Sequence, residues 1–83
     1  METIARNLIK KAYGAKNLIY ETYFYLSGNK AVVFIDFDTG EIYIVMRRDK
    51  RKQYALYELH KGNPKYYSFK AAEEMTSGEL PDD

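Results

Sequence analysis

The chain has 83 residues, of which 46% are hydrophobic and 30% charged, proportions typical of a folded domain rather than a disordered one. Because it has no cysteine, disulfide frameworks, thiol nucleophiles and cysteine-ligated metal sites are excluded. The net charge of +1 is unevenly distributed: residues 1–70 carry 13 bases and seven acids, whereas residues 71–83 carry five acids and no base, and such a basic body favours an anionic partner.

The N-terminal segment has the pattern of an amphipathic helix over residues 3–13. Its apolar residues recur at helical spacing and form one stripe: Ile4, Ala5, Leu8, Ile9, Ala12 and Tyr13. We expect Thr3 to cap the start of this helix and Gly14 to end it in a left-handed conformation.

From Leu18 onward the residues are mostly aromatic and β-branched, and they predict strands. The predicted strands are residues 18–26, 30–37, 41–47 and 53–59. Their connections are short and contain Gly28 or Gly40, which predicts an antiparallel meander, since parallel pairing needs a crossover of roughly a dozen residues. We expect a short edge strand at 66–68 and a short helix at 69–75, with Ser68 as its cap.

The predicted fold is therefore α+β. An N-terminal helix packs on a four- to five-stranded antiparallel meander, followed by a short C-terminal helix. Residues 1–76 form a single domain in this interpretation, and residues 77–83, which include Gly78 and Pro81, form a flexible acidic tail.

The central hairpin, residues 30–47, can be closed in two ways. A two-residue loop at Thr39 and Gly40 places Val33, Ile35 and Phe37 on one face with Ile42, Ile44 and Met46. The opposite face then holds Val32, Phe34, Tyr43 and Val45, with Asp36 and Arg47. A three-residue loop that begins at Asp38 shifts the partners on each face by one.

In both arrangements the two faces of the sheet are substantially apolar. A helix of about eleven residues covers one face only, whereas an antiparallel sheet with one wet face should alternate apolar and polar residues. The second face needs a cover: the C-terminal helix, curling of the sheet, or another molecule. A large apolar patch left exposed usually marks an interaction site.

Several short segments resemble parts of known families. The order helix, strands, helix resembles that of double-stranded-RNA-binding domains, but residues 71–74 lack the basic signature that begins that family's second helix. Residues 33–40 resemble the first motif of haloacid-dehalogenase-type phosphatases, and Asp38-Thr39-Gly40 resembles the active-site triplet of aspartic proteases. The phosphatase motif continues differently after its second Asp, and Glu41 stands where those proteases usually have Ala or Ser.

We expect no enzyme, no cofactor and no metal site. Asp36, Asp38 and Glu41 surround one turn and offer oxygen ligands, but three acids around a turn are common by chance and a solvated turn is the favoured interpretation. His60 is the single histidine and lies in no recognisable nucleophile motif. A glycine-rich phosphate-binding loop is absent from the sequence.

The strongest polar feature is residues 47–52, which contain five bases in six residues at a predicted hairpin tip. Tyrosine is the other prominent residue type, with nine copies. It suits surfaces that are exposed to solvent in the free protein and buried in a complex. The predicted partner-binding residues are Tyr23, Tyr25, Arg47, Arg48, Lys50, Arg51 and Lys52.

These features favour a non-enzymatic protein-binding module that inhibits or regulates a partner by covering its functional surface. The cysteine-free, tyrosine-rich composition and charged tail resemble small phage and mobile-element inhibitors of host defence, such as anti-CRISPR proteins. That resemblance implies a protein partner such as a nucleic-acid-handling enzyme.

The alternative is a nucleic-acid-binding protein that contacts phosphates through residues 47–52. Homodimerisation through the uncovered face is compatible with the protein-binding hypothesis. The longest apolar run, residues 31–35, is too short to span a membrane, and the N-terminus has no signal pattern, so we expect a cytoplasmic protein.

Overall fold

A computed structural model describes residues 1–76, so the predicted acidic tail, 77–83, lies outside the described residues. In chain order the elements are α1 (Glu2–Tyr13), β1 (Leu18–Leu26), β2 (Asn29–Asp36), β3 (Ile42–Arg48), a 3-10 turn (Asp49–Arg51), β4 (Gln53–Glu58), β5 (Lys65–Ser68) and α2 (Phe69–Thr76). The strands form one antiparallel sheet in the order β1-β2-β3-β4-β5. The predicted α+β meander with a helix at each end is confirmed.

Helix α1 ends as predicted but begins differently. Gly14 adopts a left-handed conformation with φ of 70°, and its N–H donates to the Lys10 carbonyl at 2.8 Å. The N-cap is Met1, and no side chain in the described part of the chain caps this end, so the prediction that Thr3 caps the helix is wrong. The buried side of α1 includes Leu8 and Ile9 from the predicted stripe.

Helix α2 is capped by Ser68, whose Oγ accepts a hydrogen bond from the Ala71 N–H at 3.0 Å, as the sequence predicts. Both helices pack on the same face of the sheet and against each other, with Leu8 of α1 and Ala72 of α2 in one core. The C-terminal helix therefore does not cover the second face of the sheet.

The core lies between this helix pair and one sheet face. Its largest fully buried apolar side chains are Phe34, Leu8, Ile9, Leu56, Val32 and Val45. The guanidinium of Arg6 joins α1 to the sheet, because it donates to the Leu18 carbonyl at 2.6 Å and lies 4.9 Å from the centre of the Phe34 ring. The hydrophobic core is thus formed by the apolar stripe of α1 and by every second residue of the strands, whose side chains face the helices.

The β1–β2 hairpin closes through two residues, Ser27 and Gly28, with φ angles of 52° and 81°. Positive φ at both positions is the signature of a type I′ turn, whose twist matches that of the strands it joins. Strand β2 accordingly begins at Asn29, which pairs with Leu26, one residue earlier than the sequence predicts.

The β2–β3 loop is longer than either loop that the sequence left open. Ile35 pairs with Ile42, and the Asp36 N–H donates to the Glu41 carbonyl at 2.8 Å, so the loop comprises residues 37–40. Relative to a two-residue loop, the pairing is shifted by two residues. Since strand side chains alternate with a period of two, each side chain stays on the face that the tighter loop predicts. The faces are therefore those of the two-residue alternative, except that Phe37 lies in the loop instead of on a strand, and both predicted loop lengths are wrong.

Candidate functional site

The sheet face turned away from the helices is apolar, and we call it the open face. Strand pairing and alternation place there Ile19, Phe24, Leu26, Val33, Ile35, Ile42, Ile44, Tyr57, Leu59 and Tyr66. Leu26 and Tyr66, on the two edge strands, are 54% and 53% exposed. Among residues 1–76, neither helix packs on this face. Its side chains at the edges and ends of the sheet are exposed, whereas those in its middle are half-buried: Val33, Ile35, Ile42, Ile44 and Tyr57.

A small second core supports the middle of the open face. Ala31, Met46 and Ala55 are buried there, and Ile44 and Tyr57 pack against them. These three residues form one cross-strand row of the open face, next to the row that contains Ile44 and Tyr57, so the middle of this face is closely packed.

Charge is nearly excluded from the open face. Of the paired residues in the five described strands, Arg48 is the one charged residue that alternation clearly assigns to this face. It lies at the end of β3, donates to Gln53 Oε1 at 2.8 Å and places its guanidinium 5.7 Å from the centre of the Tyr66 ring. These two contacts hold a positive charge in a defined place at the rim of the apolar surface.

The basic tip, residues 47–52, continues from this rim. Arg47 points to the helix side, where it pairs with Asp49 at 2.7 Å and lies 4.9 Å from the centre of the Phe69 ring. Lys50 and Arg51 are exposed in the 3-10 turn. The two arginines are therefore positioned by contacts, while the bases of the turn are presented to solvent.

A cleft of about 450 Å³ separates the basic tip from the β1–β2 turn. Its lining residues are Ser27, Gly28, Asn29, Arg48, Asp49, Lys50 and Arg51. The β1–β2 turn and the basic tip thus lie side by side at one end of the sheet.

Tyr23 and Tyr25 lie at this same end of the sheet but on the face that carries the helices. They are 55% and 64% exposed, and their rings meet edge to face with centroids 6.1 Å apart. The ammonium of Lys30 lies 5.1 Å from the centre of the Tyr23 ring. The structure thus brings the predicted site residues to one end of the molecule, where they divide between the two faces.

Sequence reasoning missed the aromatic residues of the open face, above all Phe24, Tyr57 and Tyr66. The available signal was alternation, because Phe24 occupies the opposite phase of β1 from Tyr23 and Tyr25. The abundance of tyrosine favoured Tyr23 and Tyr25, whereas alternation along β1 places Phe24 on the other face of the sheet.

The residues that resembled enzyme motifs are used to build the β2–β3 loop. Asp36 Oδ1 accepts the Asp38 N–H at 2.9 Å, and the Asn17 side-chain amide donates to Asp38 Oδ2 at 2.8 Å. Gly40 has φ of 78° and donates its N–H to the Asp36 carbonyl at 2.8 Å. Within residues 1–76, no three His, Cys, Asp or Glu side chains are grouped so that they could hold a metal ion.

An acidic pair, Glu41 and Glu58, lies at the opposite end of the sheet from the basic tip. The Oε2 atom of each carboxyl is buried and accepts no hydrogen bond from an N–H group or a hydroxyl of the described residues. A hydrogen bond between the two carboxyls raises the pKa of Glu41, and burial and the Glu58 charge act in the same direction. The same hydrogen bond lowers the pKa of Glu58, as does the His60 N–H that donates to Glu58 Oε1 at 3.0 Å.

This pair makes stability depend on pH. Because the folded-state pKa of Glu41 is raised, the stability from its protonated form is complete below the unfolded-state pKa and is lost as pH rises through the folded-state pKa. The lowered pKa of Glu58 acts oppositely: its contribution is present above the unfolded-state pKa and is lost as pH falls through the folded-state pKa. Between the two folded-state values the carboxyls share one proton, and above both they repel each other.

We therefore expect Glu41→Gln to be more stable than the native chain at neutral and alkaline pH, since the amide donates to Glu58 without needing a proton. The difference should shrink toward acidic pH, where Glu41 itself is protonated. Urea unfolding over a series of pH values measures this, with Glu21→Gln at an exposed position as the control. A Glu41→Gln variant that gains no stability at alkaline pH would contradict the shared proton.

None of the helices in residues 1–76 has both the length and the apolar content needed to cross a membrane. Comparisons of the chain with protein-family models, with curated proteins and with solved structures found no match. The inference of function therefore rests on the geometry of the open face and the basic tip.

Proposed function

We propose that this chain is a non-enzymatic protein-binding domain that docks its open face on an apolar surface of a partner protein. The observation that carries the proposal is the apolar, uncovered second face of the sheet, which extends from β1 to β5. When such a face is buried, ordered water is released from it. No charged side chain has to lose its hydration in the centre of the face, because charge is confined to the rim. Contiguous apolar patches of this kind mark interaction sites.

The arrangement of charge further specifies the partner. Arg48 stands at one end of the open face, and Lys50 and Arg51 extend the positive charge beyond it. A complementary partner has an apolar centre bordered on one side by acidic groups. Tyr57 and Tyr66 suit such an interface, because each combines a large apolar ring with a polar tip.

The proposed mode of action is occlusion. A rigid sheet can block a partner's functional surface by lying on it, and this needs neither a cofactor nor catalytic groups. We extend the proposal to an inhibitor of the phage or mobile-element kind that acts in the cytoplasm on a nucleic-acid-handling enzyme. Capture from the native host, purification of the captured protein and an activity assay with and without this chain would test that extension.

The basic tip should contribute mainly to the rate of association. Reversing charge with Lys50→Glu and Arg51→Glu should slow binding to the purified partner by about tenfold at low salt, with little change in dissociation, because long-range attraction steers the encounter. Stopped-flow or surface-based kinetics at several salt concentrations measure this. The matched control is Lys16→Glu with Lys61→Glu, the same charge change at exposed positions away from the tip. Equal effects of the two double variants would remove the steering role.

Nucleic-acid binding is the competing function, since the cleft beside the basic tip offers several bases to a phosphate. The discriminating measurement is titration of single- and double-stranded DNA and RNA across salt concentrations. A phosphate-driven complex weakens log-linearly as salt rises. Such binding, abolished by Lys50→Glu and Arg51→Glu but unaffected by changes on the open face, would replace the proposed function.

A further inference from the structure

Within residues 1–76, strand β1 is an edge of the sheet with no partner on its outer side. Its last residues, Tyr23, Phe24, Tyr25 and Leu26, are 55%, 38%, 64% and 54% exposed, so large side chains project from both faces of one strand. Exposed edge strands normally carry lysine, proline or another device that prevents pairing with a second chain. Residues 22–26 contain neither proline nor a charged residue, and the β-bulge of β1 lies before them, between Tyr20 and Thr22.

We propose that a second copy of this chain pairs with β1, antiparallel and edge to edge, to form a two-fold symmetric dimer with a continuous ten-stranded sheet. This inference is independent of the proposed function. It concerns the free edge of β1 and shares only Phe24 and Leu26 with the open face, whose other listed residues stay available to the proposed partner.

The backbone of β1 selects the register. Leu26 and Asn29 flank a two-residue turn, so their N–H and C=O groups face each other across the hairpin. Alternation along the strand then turns the backbone groups of Tyr25 and Tyr23 outward, toward the free edge. The β1 strand of a second copy can hydrogen-bond to the outward-facing backbone groups of both residues if Tyr23 of one copy lies opposite Tyr25 of the other. The two-fold axis then passes between the two Phe24 residues.

The side chains match in this register. On the helix side, the edge-to-face pair of Tyr23 and Tyr25 meets the same pair of the other copy. On the open face the two Phe24 rings meet at the axis, and Leu26 lies opposite Thr22. Aromatic cross-strand pairs are among the stabilising pairs of antiparallel sheets, and no like charges oppose each other along residues 22–26. A second copy is therefore complementary to this edge in hydrogen bonding and in side-chain chemistry.

The contact area fits a reversible dimer. The exposed parts of these four large side chains amount to roughly 400 Å² per copy, so with the paired backbone the dimer can bury at most about 1,000 Å² in both copies, the lower limit of specific interfaces. The other edge of the sheet, β5, has four residues and begins with Lys65, so it is shorter and carries a charge. Pairing through β1 alone closes after two copies and does not extend into fibres.

The chain has no cysteine, which allows a site-specific test by disulfide formation. In the proposed register the two Phe24 residues form a non-hydrogen-bonded pair with Cα atoms about 4.5 Å apart, within the range of a disulfide. We expect Phe24→Cys to form a covalent dimer under mild oxidation. Leu26→Cys, also exposed and on the same face, should not, because in this register its two copies lie too far apart along the strands.

Sedimentation of the native chain over a wide concentration range provides the second measurement. We expect a monomer–dimer equilibrium that Tyr25→Lys shifts to monomer and that Tyr66→Lys, the same change on the other edge strand, leaves in place. Circular dichroism checks that both variants fold. A native chain that stays monomeric at every concentration, or a dimer that Tyr66→Lys dissociates and Tyr25→Lys does not, would overturn the proposal. A monomeric chain that still binds its protein partner would remove the dimer alone and leave the proposed function standing.

Discussion

Replacing Phe34 with alanine should lower the free energy of unfolding by about 3–5 kcal/mol. The side chain is fully buried in the core, with the Tyr20 ring 5.7 Å away edge to face and the Arg6 guanidinium 4.9 Å from its centre. Its removal leaves a cavity where α1 meets the sheet and deprives Arg6 of its aromatic neighbour. A domain of this size has a total stability of roughly 4–12 kcal/mol, so the variant should be marginally folded or unfolded.

Urea or thermal unfolding followed by circular dichroism measures this loss. Phe37→Ala is the matched control, because it deletes the same ring three positions along the chain at a site that is 73% exposed. We expect this control to change stability by no more than about 0.5 kcal/mol. Similar losses in the two variants would show that Phe34 does not occupy the core that the structure assigns to it.

Replacing Ile44 with lysine should weaken binding of a purified protein partner by about 30-fold or more, equivalent to about 2 kcal/mol. Ile44 lies on the central strand of the open face, between Val33 on β2 and Tyr57 on β4. A lysine there must bring its charge into the apolar centre of the interface or hold the two surfaces apart, and both are unfavourable. The effect should appear mainly as faster dissociation.

This substitution should leave the fold intact. The methylene groups of the lysine can cover the small core of Ala31, Met46 and Ala55 while the ammonium reaches water. The matched control is Asn63→Lys, which adds the same charge in an exposed turn. Calorimetric titration of both variants, with urea unfolding as the check on folding, separates binding from stability. Affinity that Ile44→Lys leaves within about twofold of the native value would exclude the centre of the open face as the docking surface.

Much of the architecture followed from local signals. The apolar stripe of α1, the left-handed stop at Gly14 and the cap at Ser68 depend on residues within one or two helical turns. The glycine of the β1–β2 turn was also predictable, although the predicted strands left three residues for this turn and it has two, Ser27 and Gly28. Short connections then required antiparallel neighbours, so the order of the strands was determined as well.

The faces of the central hairpin were predictable only as two alternatives, one for each proposed loop, and its actual loop was not predicted. Alternation with a period of two sorts Ile35 and Ile44 onto one side for any register shifted by an even number of residues. The choice of a four-residue loop depends on hydrogen bonds such as that from Asn17 to Asp38, which joins residues 21 positions apart. Sequence spacing alone carries no information about such a partner.

Composition and periodicity determined that the sheet has two apolar faces and that one long helix can shelter only one of them. Only the tertiary structure decided which face stays open, because that depends on α2 packing beside α1 and not on the far side of the sheet. It also decided that Tyr23 and Tyr25 stand away from the open face while Phe24 lies on it. The physical reason is the range of the interactions. Helix caps, turns and alternation involve residues that are close in sequence, whereas the burial of one element against another depends on how all the elements pack around a single core.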